Sequence, residues 1–337
     1  MTGRASQLLS LVVPVHNEEA NLQRLYGELN AALRGVDNLS WEFVFVDDGS
    51  TDRSFAMLQE LHAADPSVRV LRFPRNFGSH VAIAAGLDHC RGDAAAIMAA
   101  DLQDPPDLLP SFIAQWRAGH QIVWGARQGR DDGVIRSRVM RVFYRLVRRF
   151  AIPTYPVGGT GSFCLIGRPV VETFRECRER NRLTFGLIAW SGFPQTQVLY
   201  HRPARAAGRS SWTTGRLIKS AVDLFAAFSF APIRAISYFG LLVSLASFLA
   251  GFYLLVNKVI YGTKVEGWTS VMVAVLVLGG VQLTMIGVLG EYLWRVAEEA
   301  RARPLYVLER QLGFEAPFGE RTHAAVASQS LPVSHTH

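Results

Sequence analysis

The sequence predicts an α/β chain: a mostly parallel sheet, then amphipathic helices, then a two-helix hairpin long enough to cross a membrane. Three observations carry this expectation. From residue 8 to residue 126, short β-rich apolar runs alternate with helical segments, the pattern of parallel strands with helices on both faces. Residues 134–150 repeat apolar side chains at three- and four-residue spacing, with arginines on the opposite face. Residues 235–256 and 270–290 each run for about 20 residues without a charged side chain, the length needed to cross roughly 30 Å of hydrocarbon. Two long buried core helices are the alternative for that last feature, and uncharged apolar runs of this length argue against it.

Taken in order, residues 8–15 (LLSLVVPV) form the first strand, suited to burial on both faces. Asn17 is expected to cap the helix that follows to about Leu33, with Glu18 and Glu19 in its first turn. Residues 41–46 make the second strand, and the turn 47–52 (DDGSTD) leads into a helix over 52–64. A third strand at 68–73 precedes an Ala- and Gly-rich helix at 77–87, which should pack closely. The fourth strand, 94–100, delivers Asp101 and Gln103 to the C-terminal edge of the sheet, and a proline-started helix follows at 106–118. In extended chain Asp101 and Gln103 point to the same side. A fifth strand spans 121–126, and 158–171 returns to an apolar, strand-like segment. No GxGxxG follows the first strand, which argues against a dinucleotide fold. Residues 200–212 read as an arginine-, glycine- and serine-containing loop, 214–230 as a second amphipathic helix, 287–308 as a polar helix, and 315–337 as a disordered tail.

The net charge is +7. Its arginines cluster beside the membrane-proximal helices rather than along an aromatic-studded groove, so an anionic lipid surface is favoured over nucleic acid. Basic residues before the first span and after the second (Arg295, Arg301, Arg303) place both ends in the cytoplasm by the positive-inside rule. The start of the chain has no charged-then-apolar leader, so no signal peptide is expected. Three cysteines without metal-site spacing fit reduced structural thiols.

Acidic groups stand at three strand ends: Glu18, the pair Asp47 and Asp48, and Asp101. In open α/β sheets ligands bind outside the carboxyl ends of the strands. A single carboxylate there is usually a helix cap. Three on one edge suit hydrogen bonds to a nucleoside, or a cation held against a diphosphate. Hard oxygens such as those of Asp101 and Gln103 suit Mg²⁺ or Mn²⁺.

Six segments in order, VVPVHNE (12–18), VDDGSTD (46–52), RNFG (75–78), ADLQDPP (100–106), SFAP (229–232) and GEYLWRVAEEARARPLY (290–306), together resemble the family-2 glycosyltransferases of the polyprenyl-phosphate type. That family includes the dolichyl-phosphate mannose synthases and bacterial undecaprenyl-phosphate glycosyltransferases. The resemblance spans about residues 8–312 and implies a GT-A (Rossmann-like) fold. It implies a cytoplasmic catalytic domain over 1–212 with an interfacial helix at about 133–150, and a second interfacial helix at 213–232. A transmembrane hairpin over 233–294 and a cytoplasmic helix and tail over 295–337 complete the expected layout. It implies that Pro14, His16, Glu18 and Asp48 hold the nucleoside of a nucleotide-sugar donor, UDP- or GDP-linked. Asp101 and Gln103 would bind Mg²⁺ or Mn²⁺ and the diphosphate, and Arg127 and Arg205 would contact phosphates. Arg136, Ser137 and Arg138 would receive the phosphate of the polyprenyl acceptor. The implied reaction is an inverting sugar transfer at the inner (plasma) membrane, and a homo-oligomer is among the assemblies the resemblance leaves open.

Three positions depart from the family pattern: Ala99 where an aspartate is usual, Ser162 where many relatives carry aspartate, and Ser211 where lysine is usual. A processive polysaccharide synthase is disfavoured by the lack of a Gln-x-x-Arg-Trp motif. The alternative from another class is a non-catalytic membrane relative that binds nucleotide or lipid, which Ala99 and Ser162 would favour.

Overall fold

A computed structural model of the chain describes residues 6–127, 134–156, 163–177, 179, 183–200, 228–229, 231–261 and 267–314. The chain divides into two compact units, 1–102 with 306–337, and 103–305.

The first unit is built on β1 (Gln7–Val15), β2 (Leu39–Asp47), β3 (Val68–Arg72), β4 (Ala94–Ile97) and β8 (Arg310–Leu312), with α1 (Leu22–Leu33), α2 (Ser54–Ala64) and α3 (Ser79–His89). Its strands lie in the order β4-β1-β2-β3-β8. β1 runs parallel to β2 and β4, and β2 parallel to β3, while β8 joins the β3 edge antiparallel. Leu11, Val12 and Val13 are all fully buried, as expected of a parallel strand covered on both faces. α1 buries Leu22, Leu25, Leu29 and Leu33, a stripe at helical spacing. α3 lies so close to the sheet that a Cβ on Gly86 would run into Val12, which accounts for its small residues.

Several expected boundaries move. β4 ends at Ile97 rather than at residue 100. α3 begins at Ser79 rather than 77. The helix expected at 106–118 is a 3₁₀ turn, Pro106–Leu108, followed by α4 (Leu109–Arg117). The polar helix expected to reach residue 308 stops at Ala300, and the chain beyond it supplies β8.

The second unit contains β5 (Ile122–Arg127), β6 (Cys164–Gly167) and β7 (Gln195–Tyr200), with α4, α5 (Val134–Phe150), α6 (Arg168–Glu176) and α7 (Thr184–Trp190). β5 pairs antiparallel with β6 and parallel with β7. Phe112 of α4 stacks on Phe163 at 4.4 Å between centroids. In α5, Val147 is buried, while Val142, Leu146 and Phe150 are exposed among exposed Arg138, Arg141, Arg145 and Arg149.

The two apolar runs become α8 (Ala231–Tyr261) and α9 (Trp268–Ala300). Their stretches Ile233–Leu254 and Ser270–Ala300 are long and apolar enough to cross a membrane, and none of the apolar window of either is buried in the protein. The two helices approach at Gly240, where an added Cβ would lie 2.5 Å from Met285 Cε. The helix expected at 214–230 lies outside the described residues apart from 228–229. The tail expected at 315–337 lies outside them entirely.

Candidate active site

Val15 of β1 and Asp47 of β2 are register partners, so both strands end level and their following loops meet. They are stitched by side chains. Asn17 N–H donates to Ser50 Oγ at 3.0 Å, and Thr51 N–H donates to Asn17 Oδ1 at 2.8 Å. Glu18 N–H donates to Ser54 Oγ at 2.8 Å, and Arg53 N–H to Glu19 Oε2 at 3.0 Å. Asn17 therefore does not cap α1, which begins at Leu22 with no acidic residue in its first turn. Its amide oxygen serves the β2–α2 turn instead, and its own backbone adopts φ +55°, a conformation asparagine tolerates.

His16 is exposed, and its Nδ1 lies 3.0 Å from the Asp48 carbonyl oxygen. A carbonyl only accepts, so Nδ1 carries the proton in that bond. Pro14 and Glu18 are half-buried beside it in sequence. Asp48 is 3% exposed. Its two oxygens accept the backbone N–H groups of Phe77 (2.6 Å) and Gly78 (2.9 Å), which gives the RNFG segment a role. Gly49, at φ +67°, passes so close to that segment that a Cβ would lie 2.5 Å from the Arg75 carbonyl carbon. Asp47 is fully buried. Its Oδ1 accepts Ser50 N–H, and its Oδ2 lies 3.5 Å from Arg72 Nε. Burial pushes both carboxyls above the usual aspartate value, outweighing the hydrogen bonds and the arginine that favour their charged forms.

At the fourth strand end the extended-chain expectation fails. β4 has already stopped, Ala100 and Asp101 lie in a turn, and Leu102 adopts φ +57°. The strict alternation that would put Asp101 and Gln103 on one side holds only in extended chain. Asp101 is half-buried, Gln103 is 5% exposed and Asp104 is fully buried. Among the described residues no group of three or more His, Cys, Asp or Glu is placed to hold a metal. One carboxylate and one amide are hard oxygen donors. Each by its own chemistry is of the kind that Mg²⁺ and Mn²⁺ accept, and these ions usually complete their shell with substrate phosphate oxygens and water.

Arg127 is the last residue of β5 and the register partner of Tyr200, the last residue of β7. Gly125 makes room for that neighbour, since a Cβ there would lie 3.1 Å from Tyr200 Cε1. Arg136, Ser137 and Arg138 stand at the start of α5, and the Arg138 side chain is exposed. Arg205, Ser162 and Ser211 lie outside the described residues.

The glycosyl transferase family 2 profile matches residues 10–174. The chain is 37% identical over 308 residues to an uncharacterized glycosyltransferase of Synechocystis, covering 91% of this chain and 96% of the relative. It is also 37% identical over 304 residues to the bactoprenol glucosyl transferase of Shigella phage SfV, covering 90% of this chain and 98% of the relative. The chain belongs to glycosyl transferase family 2. It is a glycosyltransferase, and its sheet is mostly parallel. Among solved structures, a mannosyltransferase from Pyrobaculum calidifontis in complex with GDP-Man and Mn²⁺ is 18% identical with a TM-score of 0.47, covering 89% of this chain and 88% of that one.

In this family-2 glycosyltransferase the sequence pattern located the ends of β1 and β2 but not what holds them. The clasp of Phe77 and Gly78 on Asp48 was signalled only by two glycines, Gly49 and Gly78, both at positive φ. Asp104 lies within the ADLQDPP segment, but nothing in the sequence pairs it with Tyr200, whose OH donates to Asp104 Oδ1 at 2.8 Å.

Proposed function

We propose that this glycosyltransferase moves a sugar from a UDP- or GDP-sugar to a polyprenyl phosphate at the cytoplasmic face of the plasma membrane. The observation that carries this reading is the end-to-end similarity to bactoprenol glucosyl transferases. The two helices fit for a membrane crossing and the arginine-lined apolar stripe of α5 support it. Pro14, His16, Glu18 and Asp48 hold the nucleoside, His16 through its ring and Glu18 through its carboxylate. Arg127 and Arg205 contact the diphosphate, where a guanidinium matches phosphate oxygens in a bidentate way. Arg136, Ser137 and Arg138 hold the acceptor phosphate, so that attack occurs within a positioned pair rather than by chance encounter.

The acceptor is a lipid monophosphate whose second pKa is about 6, so it is largely dianionic near neutral pH. Its oxygen is already a nucleophile, and an aspartate at position 162 is not required as a base. The chemistry is one in-line displacement at the anomeric carbon with inversion: the lipid phosphate oxygen forms the new bond as the bond to the nucleoside diphosphate breaks. Arg127 neutralises charge that gathers on the leaving diphosphate. Asp101 and Gln103 are the residues that would hold Mg²⁺ or Mn²⁺, which supplies further neutralisation of that charge.

The test is a reaction of the purified protein in detergent with Mn²⁺, undecaprenyl phosphate and radiolabelled UDP- and GDP-sugars. Label in the extracted lipid that is lost with EDTA supports the reading and names the donor. Nucleotide binding with no labelled lipid overturns it in favour of a lipid- or nucleotide-binding relative.

A further inference from the structure

The hydrogen bond between Tyr200 and Asp104 joins two segments that the chain places 96 residues apart. Asp104 is fully buried and Tyr200 is 4% exposed. A buried carboxylate needs donors, and a phenol that reaches one makes a charge-assisted bond stronger than a neutral one. The Tyr200 ring is itself fixed. It stands edge-on to Phe163 with centroids 6.3 Å apart, and Phe163 stacks on Phe112. Gly125 of β5 leaves the space that the ring occupies. The carboxylate is felt nearby, for burial and then the Asp104 charge push the Cys164 thiol upward, so that Cys164 stays protonated and inert.

The placement of these residues along the chain gives the bond its meaning. Asp104 directly follows Gln103. Tyr200 is the register partner of Arg127 and stands five positions before Arg205. One phenol thus ties the segment carrying Gln103 to the strand ends that carry Arg127 and lead to Arg205. We propose that Tyr200, through its hydrogen bond to Asp104, is a positioning residue that holds Gln103 in register with Arg127 for binding a divalent cation with a nucleoside diphosphate. This rests on the reading above that Gln103 and Arg127 serve the cation and the diphosphate. Partners that orient metal-binding residues typically alter affinity or activity by about 10–100-fold when removed.

The experiment compares the full-length wild-type protein with Tyr200→Phe, which keeps the ring and its aromatic contacts and removes only the hydroxyl. UDP and GDP binding are titrated calorimetrically with and without Mn²⁺, alongside thermal melting and label transfer from the corresponding sugar nucleotide. The expected result is about a 10-fold weaker Mn²⁺-dependent nucleotide Kd in Tyr200→Phe, weaker Mn²⁺ activation, and little change in Mn²⁺-free binding. Asp104→Asn keeps an oxygen for the phenol but loses its charge, and should fall between the two. An unchanged Mn²⁺-dependent Kd in Tyr200→Phe overturns the proposal, whatever the melting temperature does. Should Tyr200→Phe fail to fold, an unchanged Kd in Asp104→Asn overturns it and an intermediate Kd sustains it. Wild-type protein that binds neither nucleotide refutes the functional reading and this inference together. Wild-type protein that binds nucleotide with Mn²⁺ but labels no lipid overturns the transfer reading and leaves the Kd comparison decisive for this inference.

Discussion

Arg69 Nη1 lies 2.7 Å from Glu42 Oε2, and both side chains are buried. Glu42 also accepts Ser10 Oγ–H at 2.6 Å and Arg91 N–H at 2.7 Å. Arg69 reaches in the other direction, donating to the Gly313 carbonyl at 3.2 Å and lying 3.8 Å from the Phe314 ring centroid. The pair therefore joins the sheet interior to the C-terminal strand β8. Removing one member leaves the other charged and buried, so Arg69→Ala should cost about 3–5 kcal/mol. Chemical denaturation monitored by tryptophan fluorescence checks this, and the double change Arg69→Met with Glu42→Leu should recover most of the loss.

The segment that holds β8 in place has a second anchor in Tyr306. Its ring stacks on Phe73 at 5.5 Å, and its hydroxyl donates to Asp88 Oδ2 at 3.1 Å. Tyr306→Ala should destabilise the first unit by roughly 2–4 kcal/mol, and Tyr306→Phe by about 1 kcal/mol or less. Proteolysis after residue 300 should quicken markedly in the alanine variant and little in the phenylalanine one, because losing β8 uncovers the β3 edge.

Gly49 allows no side chain. Its φ of +67° is strained for any L-residue, and a Cβ would meet Arg75 backbone rather than a movable side chain. Gly49→Ala should cost about 1–3 kcal/mol from backbone strain alone. It should also displace Phe77 and Gly78 from Asp48, weakening UDP or GDP binding beyond what the loss of melting temperature explains. Calorimetry below the variant's melting transition separates the two effects.

The paired carboxyls at the β2 end give a pH dependence with a definite sign. Burial holds Asp47 and Asp48 above the ordinary value of 3.8. Between that value and the raised ones, the folded chain binds more protons than the unfolded chain. Stability contributed by these groups is therefore present in acid and lost as pH rises through that window. Asp47→Asn removes one of the two. Its melting temperature relative to wild type should rise as the pH is taken from about 4 to 7, and a flat difference would rule out the burial effect at Asp47.

For the chemistry, Asp101→Ala should abolish labelling of the lipid while leaving the melting temperature close to wild type, since Asp101 is only half-buried in a turn. Arg136→Ala should raise the KM for the lipid several-fold with kcat largely kept, the signature of lost ground-state binding. Initial rates across a lipid titration distinguish the two variants.

The amino-acid pattern alone determined the existence and order of most elements. It set β1 to β5, the helices between them, the amphipathic α5 and the two long apolar helices, because burial on both faces or on one stripe imposes a periodicity that survives in the sequence. It also placed Asp48 at the end of β2, since an apolar run that stops at an acid marks the sheet edge, whereas the apolar run before Asp101 outlasts β4, which ends at Ile97. Tertiary structure alone decided what those acids do. Asn17 reads as a cap in sequence, yet it serves a turn 34 residues away. Gln103 and Asp101 read as neighbours on one face until the backbone turns left-handed at Leu102. β8 has three residues and two of them are exposed, so no apolar run announces it. It forms because β3 offers unpaired backbone and Arg69 and Phe73 hold its flanks. Contacts between distant segments leave no period in the chain, and the bonds from Asp48 to Phe77 and from Tyr200 to Asp104 are both of that kind.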